Sequence, residues 1–216
     1  MNLDQCRPGR FIVLEGMDGS GKSTQHAILA ERLRDRGLRV HDTHEPTSGP
    51  IGSLIRQMLN GRIQANHETI AALFAADRID HLLNSHDGIL AKINGGMTVL
   101  SDRYYFSSYA YHAASVGLDW LIQANSLSAR LLRPDITIFI DVSAEMCCKR
   151  LQQRHRRPEL YENLEALKAI RAKYLFAFDQ LKGREAFEII DGAGGVEGVT
   201  EQIWIIVSRL FGWDHD

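Results

Sequence analysis

The sequence predicts an α/β fold in which a five-stranded parallel sheet is covered by helices on both faces. Strand-like and helix-like segments alternate along the chain, an order typical of sheets whose strands are joined by helical crossovers. The strand-like segments, such as FIVLE, are short and mostly apolar, which indicates strands buried on both faces. A glycine-rich turn joins the first strand to the first helix. Because neither an internal repeat nor a low-complexity linker interrupts this order, we expect a single domain over residues 1–216.

The first half of the chain begins with an apolar strand predicted over residues 11–15, directly before the glycines. A helix follows over residues 22–36 and ends at a glycine, which is a common helix terminator. The segment LRVHDTHE supplies a second strand over residues 38–45. Helices are predicted over residues 51–60 and 67–84, the second because its apolar residues recur at helical spacings.

The second half continues the alternation, with turn residues at the element boundaries. The strand MTVLSD follows a Gly–Gly pair, and the strand DITIFIDV follows a proline. The predicted elements are, in order, the strand 97–102, helices at about 105–115 and 118–132, the strand 135–142, the helix 143–154, a helix at about 162–182, the strand 186–191 and the helix 196–211. We therefore expect five strands, each joined to the next by at least one helix.

The composition is that of an ordinary globular protein, with 44% hydrophobic and 24% charged residues. Its 25 basic and 27 acidic residues give a net charge of −2, which argues against a dedicated nucleic-acid binder. No apolar run approaches the roughly 18 residues of a membrane span, and the first residues lack the pattern of a signal peptide. Cys6, Cys147 and Cys148 show neither a disulfide framework nor metal-binding spacing. These features predict reduced thiols and a cytoplasmic location.

The strongest functional signal is GMDGSGKS at residues 16–23, which satisfies the phosphate-loop pattern G-x-x-x-x-G-K-[ST] in full. Its glycines let backbone N–H groups surround phosphate oxygens, and the following helix adds its positive N-terminal end. We expect Lys22 to contact the β- and γ-phosphates of ATP and Ser23 to ligate Mg²⁺. The residues predicted to bind ATP are Gly16, Met17, Asp18, Gly19, Ser20, Gly21, Lys22, Ser23 and Thr24.

A phosphate loop alone does not separate kinases from other nucleotide-binding proteins. A GTPase should carry an N-K-x-D-type motif late in the chain, and this sequence has none. An ATPase with an assembly role is a further alternative. The discriminating observation is whether ADP formation requires an added nucleoside monophosphate.

The sequence resembles the thymidylate kinases, a family of nucleoside monophosphate kinases. The matching segments are GMDGSGKST, HEPTSGPIGSLIR, LFAADR, DRYYFSSYAYH, RPDITIFIDV and RHRRPELYE, in that order along the chain. The resemblance implies a P-loop kinase fold with a short basic lid at about residues 152–162. It also implies ATP as phosphoryl donor, Mg²⁺ as metal ion, dTMP as acceptor, dTDP as product and a homodimer. A different nucleoside monophosphate, such as dUMP or UMP, stays open as the acceptor.

The segment DRYYFSSYAYH begins at the carboxyl end of the third predicted strand, the edge at which open α/β sheets bind ligands. This position predicts that Asp102 acts near Mg²⁺, directly or through water. By resemblance, Arg103 bridges the phosphates of donor and acceptor. Ser108 and Tyr111 are three residues apart on the next helix and share a face. The resemblance places them by the base and the sugar, where Tyr111 can exclude a ribose 2′-hydroxyl.

Other acceptor residues are expected on the second strand's exit loop and on helix 67–84. Phe74 and Arg78 are four residues apart and point the same way, so a nucleobase can stack on Phe74 while Arg78 donates to a ring carbonyl, as the resemblance implies. Periodicity alone would instead make Phe74 a core residue and Arg78 a surface residue. By resemblance, Arg56 holds the acceptor phosphate. Glu45 opens the loop after the second strand, and we expect its carboxylate to help organise the waters of Mg²⁺.

Two departures from relatives bear on specificity and catalysis. His112 stands where relatives often carry a base-contacting glutamine, and one imidazole cannot donate and accept at one edge as an amide can. Asp18, which faces the acceptor sugar by resemblance, is followed by Gly19, where some relatives carry a catalytic arginine. We expect the missing charge to come from the lid, because phosphoryl transfer requires guanidinium donors. The predicted lid donors are Arg154, Arg156 and Arg157.

Overall fold

The computed structural model describes residues 9–153, 161 and 163–213. It contains a five-stranded sheet in the order β2-β3-β1-β4-β5, with every neighbouring pair parallel. The strands are β1 (Phe11–Glu15), β2 (Val40–His44), β3 (Thr98–Asp102), β4 (Ile136–Asp141) and β5 (Phe187–Asp191). The predicted fold class is confirmed, and each strand lies within the segment predicted for it.

The helices that precede β5 connect successive strands, as parallel pairing requires, and the last helix of the described chain follows β5. Their bounds are α1 (Lys22–Asp35), α2 (Pro50–Leu59), α3 (His67–Leu83), α4 (Ile89–Asn94), α5 (Tyr105–Val116), α6 (Leu118–Ala124), α7 (Ser126–Leu131), α8 (Ala144–Gln152), α9 (Leu164–Gln180) and α10 (Val196–Phe211). In the described part of the chain, none of them combines the length and apolar character that a membrane span requires.

Two helical details differ from the prediction. The short helix α4 was not predicted, because its six residues are too few to show a helical period. The predicted helix 118–132 is divided into α6 and α7 at Asn125. The Asn125 side chain is buried, donates to the Leu121 carbonyl at 2.8 Å and accepts from Arg78. An asparagine that bonds to local backbone competes with the helix, which accounts for the break.

The core lies against β1, whose five residues are all buried. Aromatic side chains from three elements close one side of it. Phe139 of β4 lies 4.7 Å from Tyr174 and 5.2 Å from Phe178 on α9, and Phe178 stacks on Phe106 of α5 at 4.3 Å between ring centroids. These contacts fix α5 and α9 relative to the carboxyl end of β1.

The sheet topology determines where a ligand can bind. β1 pairs with β3 on one side and with β4 on the other. The strands β2 and β3 are therefore added on one side of β1, and β4 and β5 on the other side. Leu14 pairs with Asp102, which brings the residues that follow β1 and β3 side by side. In open α/β sheets, the crevice beyond the carboxyl ends at such a point is the usual ligand site.

Candidate active site

The phosphate loop follows β1 and ends at the first turn of α1. Gly19 and Gly21 have φ angles of 83° and 100°, in the left-handed region that favours glycine, and Gly21 caps the helix. The Lys22 side chain is buried and donates from Nζ to the Met17 carbonyl at 3.1 Å. Burial lowers the pKa of Lys22, and the Arg103 charge lowers it further. The predicted loop and helix are therefore arranged so that amides and Lys22 can face one anion.

The predicted metal residues, Ser23 and Asp102, lie together. Ser23 Oγ donates to Asp102 Oδ2 at 3.3 Å. Asp102 Oδ1 is buried and has no hydrogen-bond partner within the described residues. A hydroxyl and a carboxylate with a free oxygen are the oxygen ligands that Mg²⁺ prefers, so the residues present fit this ion.

Arg103 lies beside the phosphate loop and pairs with Asp18. Arg103 Nη2 donates to Asp18 Oδ1 at 2.5 Å and to the Tyr111 hydroxyl at 3.1 Å. The Tyr111 hydroxyl donates to Asp18 Oδ2 at 2.8 Å. Burial alone would raise the pKa of Asp18, but the Arg103 and Lys22 charges and the Tyr111 hydrogen bond lower it to about 2. Asp18 is therefore ionised at neutral pH.

A cavity of about 590 Å³, counting the part open to solvent, adjoins this cluster. It is lined by Asp18, Pro46, Leu59, Phe74, Arg103, Ser107, Ser108, Tyr111, His112 and Tyr161. Apolar rings thus meet a small number of polar groups, as in small-molecule sites. The structure brings Phe74, Ser108, Tyr111 and His112, all predicted from the sequence, into one wall.

His112 is the most unusual member of this wall. It is 2% exposed, and its Nδ1 atom has no hydrogen-bond partner among the described residues. Its ring lies 5.1 Å from the Phe74 ring between centroids. Burial, reinforced by the charges of Arg78 and His67, lowers the pKa of His112 to about 3. The imidazole is therefore neutral at physiological pH, with one nitrogen as donor and the other as acceptor.

Arg78 and Glu45 lie behind the cavity wall instead of in it. Arg78 is completely buried, and its Nε and Nη2 donate to Glu45 Oε2 at 2.9 and 2.5 Å. Its Nη1 donates to Ser108 Oγ at 3.2 Å and to Asn125, and Nη2 also donates to the Tyr104 carbonyl. The pair fixes Ser108, which lines the cavity. A direct contact of either side chain with a ligand stays a prediction.

Arg56 lies on α2 and holds the loop that joins β2 to this helix. Its Nη1 donates to the carbonyls of Pro46 and Thr47 at 2.8 and 2.6 Å. Arg56 lines a neighbouring pocket together with Pro46 and Leu59, and both of these residues also line the main cavity. Its guanidinium is therefore close to the acceptor side of the site, and its phosphate contact stays a prediction.

The predicted lid arginines Arg154, Arg156 and Arg157 lie outside the described residues, so their roles stay predictions. Tyr161, at the far end of the predicted lid, is described. Its ring meets the Tyr111 ring edge-on at 5.4 Å between centroids and lines the cavity.

Sequence reasoning missed Arg150 of α8, which reaches the phosphate loop. Arg150 Nη1 donates to the carbonyls of Gly19 and Ser20 at 3.3 and 3.1 Å. The backbone of α8 also limits position 19, because a Cβ on Gly19 would lie 2.6 Å from the Cys147 carbonyl oxygen. An arginine at position 19 would therefore not fit this loop without a backbone shift. The sequence feature that could have indicated Arg150 was the basic segment that begins at this residue.

Three buried residues that were not predicted as site residues also support the site. Asp77 accepts from the Thr47 amide and hydroxyl at 2.7 and 2.6 Å, which anchors the loop after β2. Glu15 and Tyr174 share a hydrogen bond of 2.9 Å beneath Arg103. The signal for Glu15 was a carboxylate that ends an apolar strand next to the phosphate loop, and Tyr174 gave none.

Comparison with known proteins gives consistent results. A family model described as thymidylate kinase matches residues 14–203. A probable thymidylate kinase of Thermococcus kodakarensis is 36% identical over 211 residues, which cover 94% of this chain and 98% of the relative. A probable thymidylate kinase of Pyrococcus horikoshii is 35% identical over 208 residues, covering 93% of this chain and 97% of the relative. One of Methanococcus aeolicus is 38% identical over 167 residues, covering 77% and 78% respectively.

Proposed function

Because the chain belongs to the thymidylate kinase family, we propose that it transfers the γ-phosphoryl group of ATP to dTMP, giving dTDP and ADP. The observation that carries this proposal is the junction of two compartments at the carboxyl ends of β1 and β3. A phosphate loop lies on one side and an aromatic cavity on the other. Arg103 lies between the two, because it is paired with Asp18 of the loop and also lines the cavity.

On the donor side, the loop amides and Lys22 are proposed to hold the ATP phosphates. The Lys22 ammonium donates to a loop carbonyl, so it can move to a phosphate oxygen without leaving a buried charge unpaired. Ser23 and Asp102 would hold Mg²⁺, which supplies neutralising charge for the β- and γ-phosphate oxygens when bound. The unpartnered Oδ1 of Asp102 supports this assignment.

On the acceptor side, the thymine ring is proposed to stack on Phe74, with His112 and Ser108 at its edge. A neutral His112 can donate or accept one hydrogen bond to the base. Asp18, which is ionised, and Tyr111 are bonded to each other and line the cavity; they are proposed to hold a sugar hydroxyl, with the Tyr111 ring crowding a 2′-hydroxyl. Arg103 is proposed to neutralise the transferred group and the acceptor phosphate, as guanidinium groups do in related phosphoryl transfers.

We further propose a cytoplasmic homodimer. Three helices that pack on one another, α3, α6 and α7, each carry an exposed large apolar side chain. These are Leu83 at 52%, Trp120 at 41% and Leu127 at 38% exposure. A contiguous exposed apolar patch commonly marks a protein–protein interface, and the homodimer implied by the family resemblance is proposed to cover these side chains. Sedimentation equilibrium of the wild type would test the stoichiometry, and a monomer at all concentrations would contradict it.

The test of the function is a panel of nucleoside monophosphates with ATP and Mg²⁺, measured as ADP formation. We expect ADP formation to require a monophosphate and to have the highest kcat/KM with dTMP. Preference for dUMP or UMP would support the alternative acceptor. ATP hydrolysis that is equal with and without every monophosphate would overturn the kinase assignment.

A further inference from the structure

The backbone at Arg103 is held in an unfavourable conformation. Its φ angle is 78°, and it is the single non-glycine residue with a positive φ in the described ranges. Such a conformation costs on the order of 1–3 kcal/mol and persists only where surrounding contacts enforce it. The Arg103 amide donates to the Leu14 carbonyl at 2.9 Å, and its carbonyl accepts from Ser101 Oγ at 2.8 Å. These two bonds fix the backbone and do not involve the guanidinium, which is held by other contacts.

A buried carboxylate lies beneath the guanidinium. Glu15 is completely buried at the end of β1. Its Oε1 accepts from the amides of Tyr104 and Ser107 at 2.9 and 3.1 Å, and its Oε2 accepts from Ser107 Oγ at 2.7 Å and from the Tyr174 hydroxyl at 2.9 Å. Glu15 thereby ties the phosphate-loop strand to the first turn of α5, directly after Arg103. Burial raises the pKa of Glu15, while the Arg103 charge and these hydrogen bonds oppose the rise.

The hydroxyl protons of Tyr174 and Ser107 determine which hydrogen bonds these two residues can make with Glu15 and Arg103. Tyr174 and Ser107 each carry one hydroxyl proton, and both hydroxyls lie within bonding distance of Glu15 Oε2. When both protons go to the carboxylate, the two hydroxyl oxygens are left as acceptors. Arg103 Nη1 lies 3.0 Å from Ser107 Oγ and 3.4 Å from the Tyr174 hydroxyl oxygen, and it can donate toward both.

The two terminal nitrogens of the Arg103 guanidinium therefore donate to different sets of residues. Nη1 faces the buried cluster of Glu15, Ser107 and Tyr174, whereas Nη2 faces Asp18 and Tyr111 at the cavity. We propose that Tyr174 is a positioning residue that, with Glu15, holds the Nη1 edge of Arg103 so that the Nη2 edge is presented to the transferred phosphoryl group. This inference rests on the proposed phosphoryl transfer at the same site. A donor held in place before reaction needs no reorganisation in the transition state.

The decisive variant is Tyr174→Phe, which removes the hydroxyl and keeps the ring that packs on Phe139. Tyr105→Phe is a matched control, because the Tyr105 hydroxyl is also held by a carboxylate, Glu185, at 2.5 Å, and Tyr105 does not line the cavity. We expect Tyr174→Phe to lower kcat by between about 10-fold and 10²-fold, with each KM changed less than about threefold. Tyr105→Phe should keep kcat near the wild-type value. Urea unfolding of both variants separates this effect from a loss of stability.

A double-mutant cycle with Arg103→Ala tests whether Tyr174 acts through Arg103. If it does, adding Tyr174→Phe to Arg103→Ala should lower kcat by no more than about twofold. Independent, multiplying losses would overturn the proposal, and so would equal kcat values for Tyr174→Phe and Tyr105→Phe. The wild-type panel is measured first. If it identifies an acceptor other than dTMP, the substrate assignment fails alone, and the cycle is run with that acceptor.

Discussion

Replacing the buried His112 should change how the free energy of unfolding depends on pH. The pKa of His112 is about 3 in the folded chain, against an ordinary value of 6.5. Between these values the unfolded chain binds a proton at this position and the folded chain does not. The stabilisation by neutral His112 is therefore fully present above pH 6.5 and is lost as the pH falls toward 3. In this window, each unit by which the pH falls lowers the free energy of unfolding by about 1.4 kcal/mol. Lowering the pH from 6.5 to 4.5 should therefore reduce the His112 contribution to the free energy of unfolding by roughly 2–3 kcal/mol.

The comparison uses His112→Gln, which keeps a polar group but does not titrate. Urea unfolding from pH 7.5 to 4.5 gives the free energy at each pH, and the difference between variant and wild type isolates His112. Other histidines with lowered pKa values, such as His41 and His44, contribute equally to both proteins. His86→Gln, at an exposed position, is the control for removing one histidine from the chain. Parallel curves for His112→Gln and wild type would refute burial of a neutral imidazole.

The remaining predictions concern activity and the phosphate loop. Lys22→Ala should lower kcat by about 10²-fold or more while the chain stays folded, and normal turnover would contradict the loop assignment. Phe74→Ala should raise the KM for dTMP by an amount equivalent to roughly 1–3 kcal/mol and leave that for ATP unchanged; equal loss for both substrates would indicate a collapsed core. Tyr111→Ala should relax the preference for deoxyribose, measured with dTMP and ribothymidine monophosphate, and an unchanged ratio would remove its sugar role. Gly19→Ala should raise the KM for ATP and destabilise the chain more than Gly183→Ala, which has a similar φ but no neighbour within 4 Å; equal destabilisation would exclude the clash with α8.

The fold was predictable because its signals are local. β1 and β4 are short, mostly apolar runs, and the phosphate loop is a contiguous motif between a strand and a helix. The cavity wall was predictable from the resemblance, which placed Phe74, Tyr111 and His112 together although they lie on α3 and α5. Helical spacing alone favoured a core position for Phe74.

The supporting contacts could not be predicted, because they join residues that are far apart in sequence. Tyr174 and Glu15 are 159 positions apart, and Arg78 and Asn125 are 47 apart. A tyrosine on an amphipathic helix gives no sign of which buried carboxylate it meets. The burial of Arg78 was equally hidden, since a spacing of four from Phe74 fixes a shared helix face but not its depth.

The two arginines near the cavity, buried Arg78 and partly exposed Arg103, differ in the donors that they can offer to a ligand. Arg78 directs Nε, Nη1 and Nη2 to protein acceptors, chiefly Glu45, and a ligand that drew it away would leave that carboxylate buried and less well paired. Arg103 instead directs Nη2 to Asp18, whose side chain is 31% exposed and can be hydrated when the contact changes. Moving the Nη2 edge of Arg103 toward a phosphate therefore costs less than moving Arg78. Within the described residues, this difference favours Arg103 over Arg78 for the reacting phosphates. Arg78 holds Ser108 in the cavity wall, and its contact with the base stays a prediction.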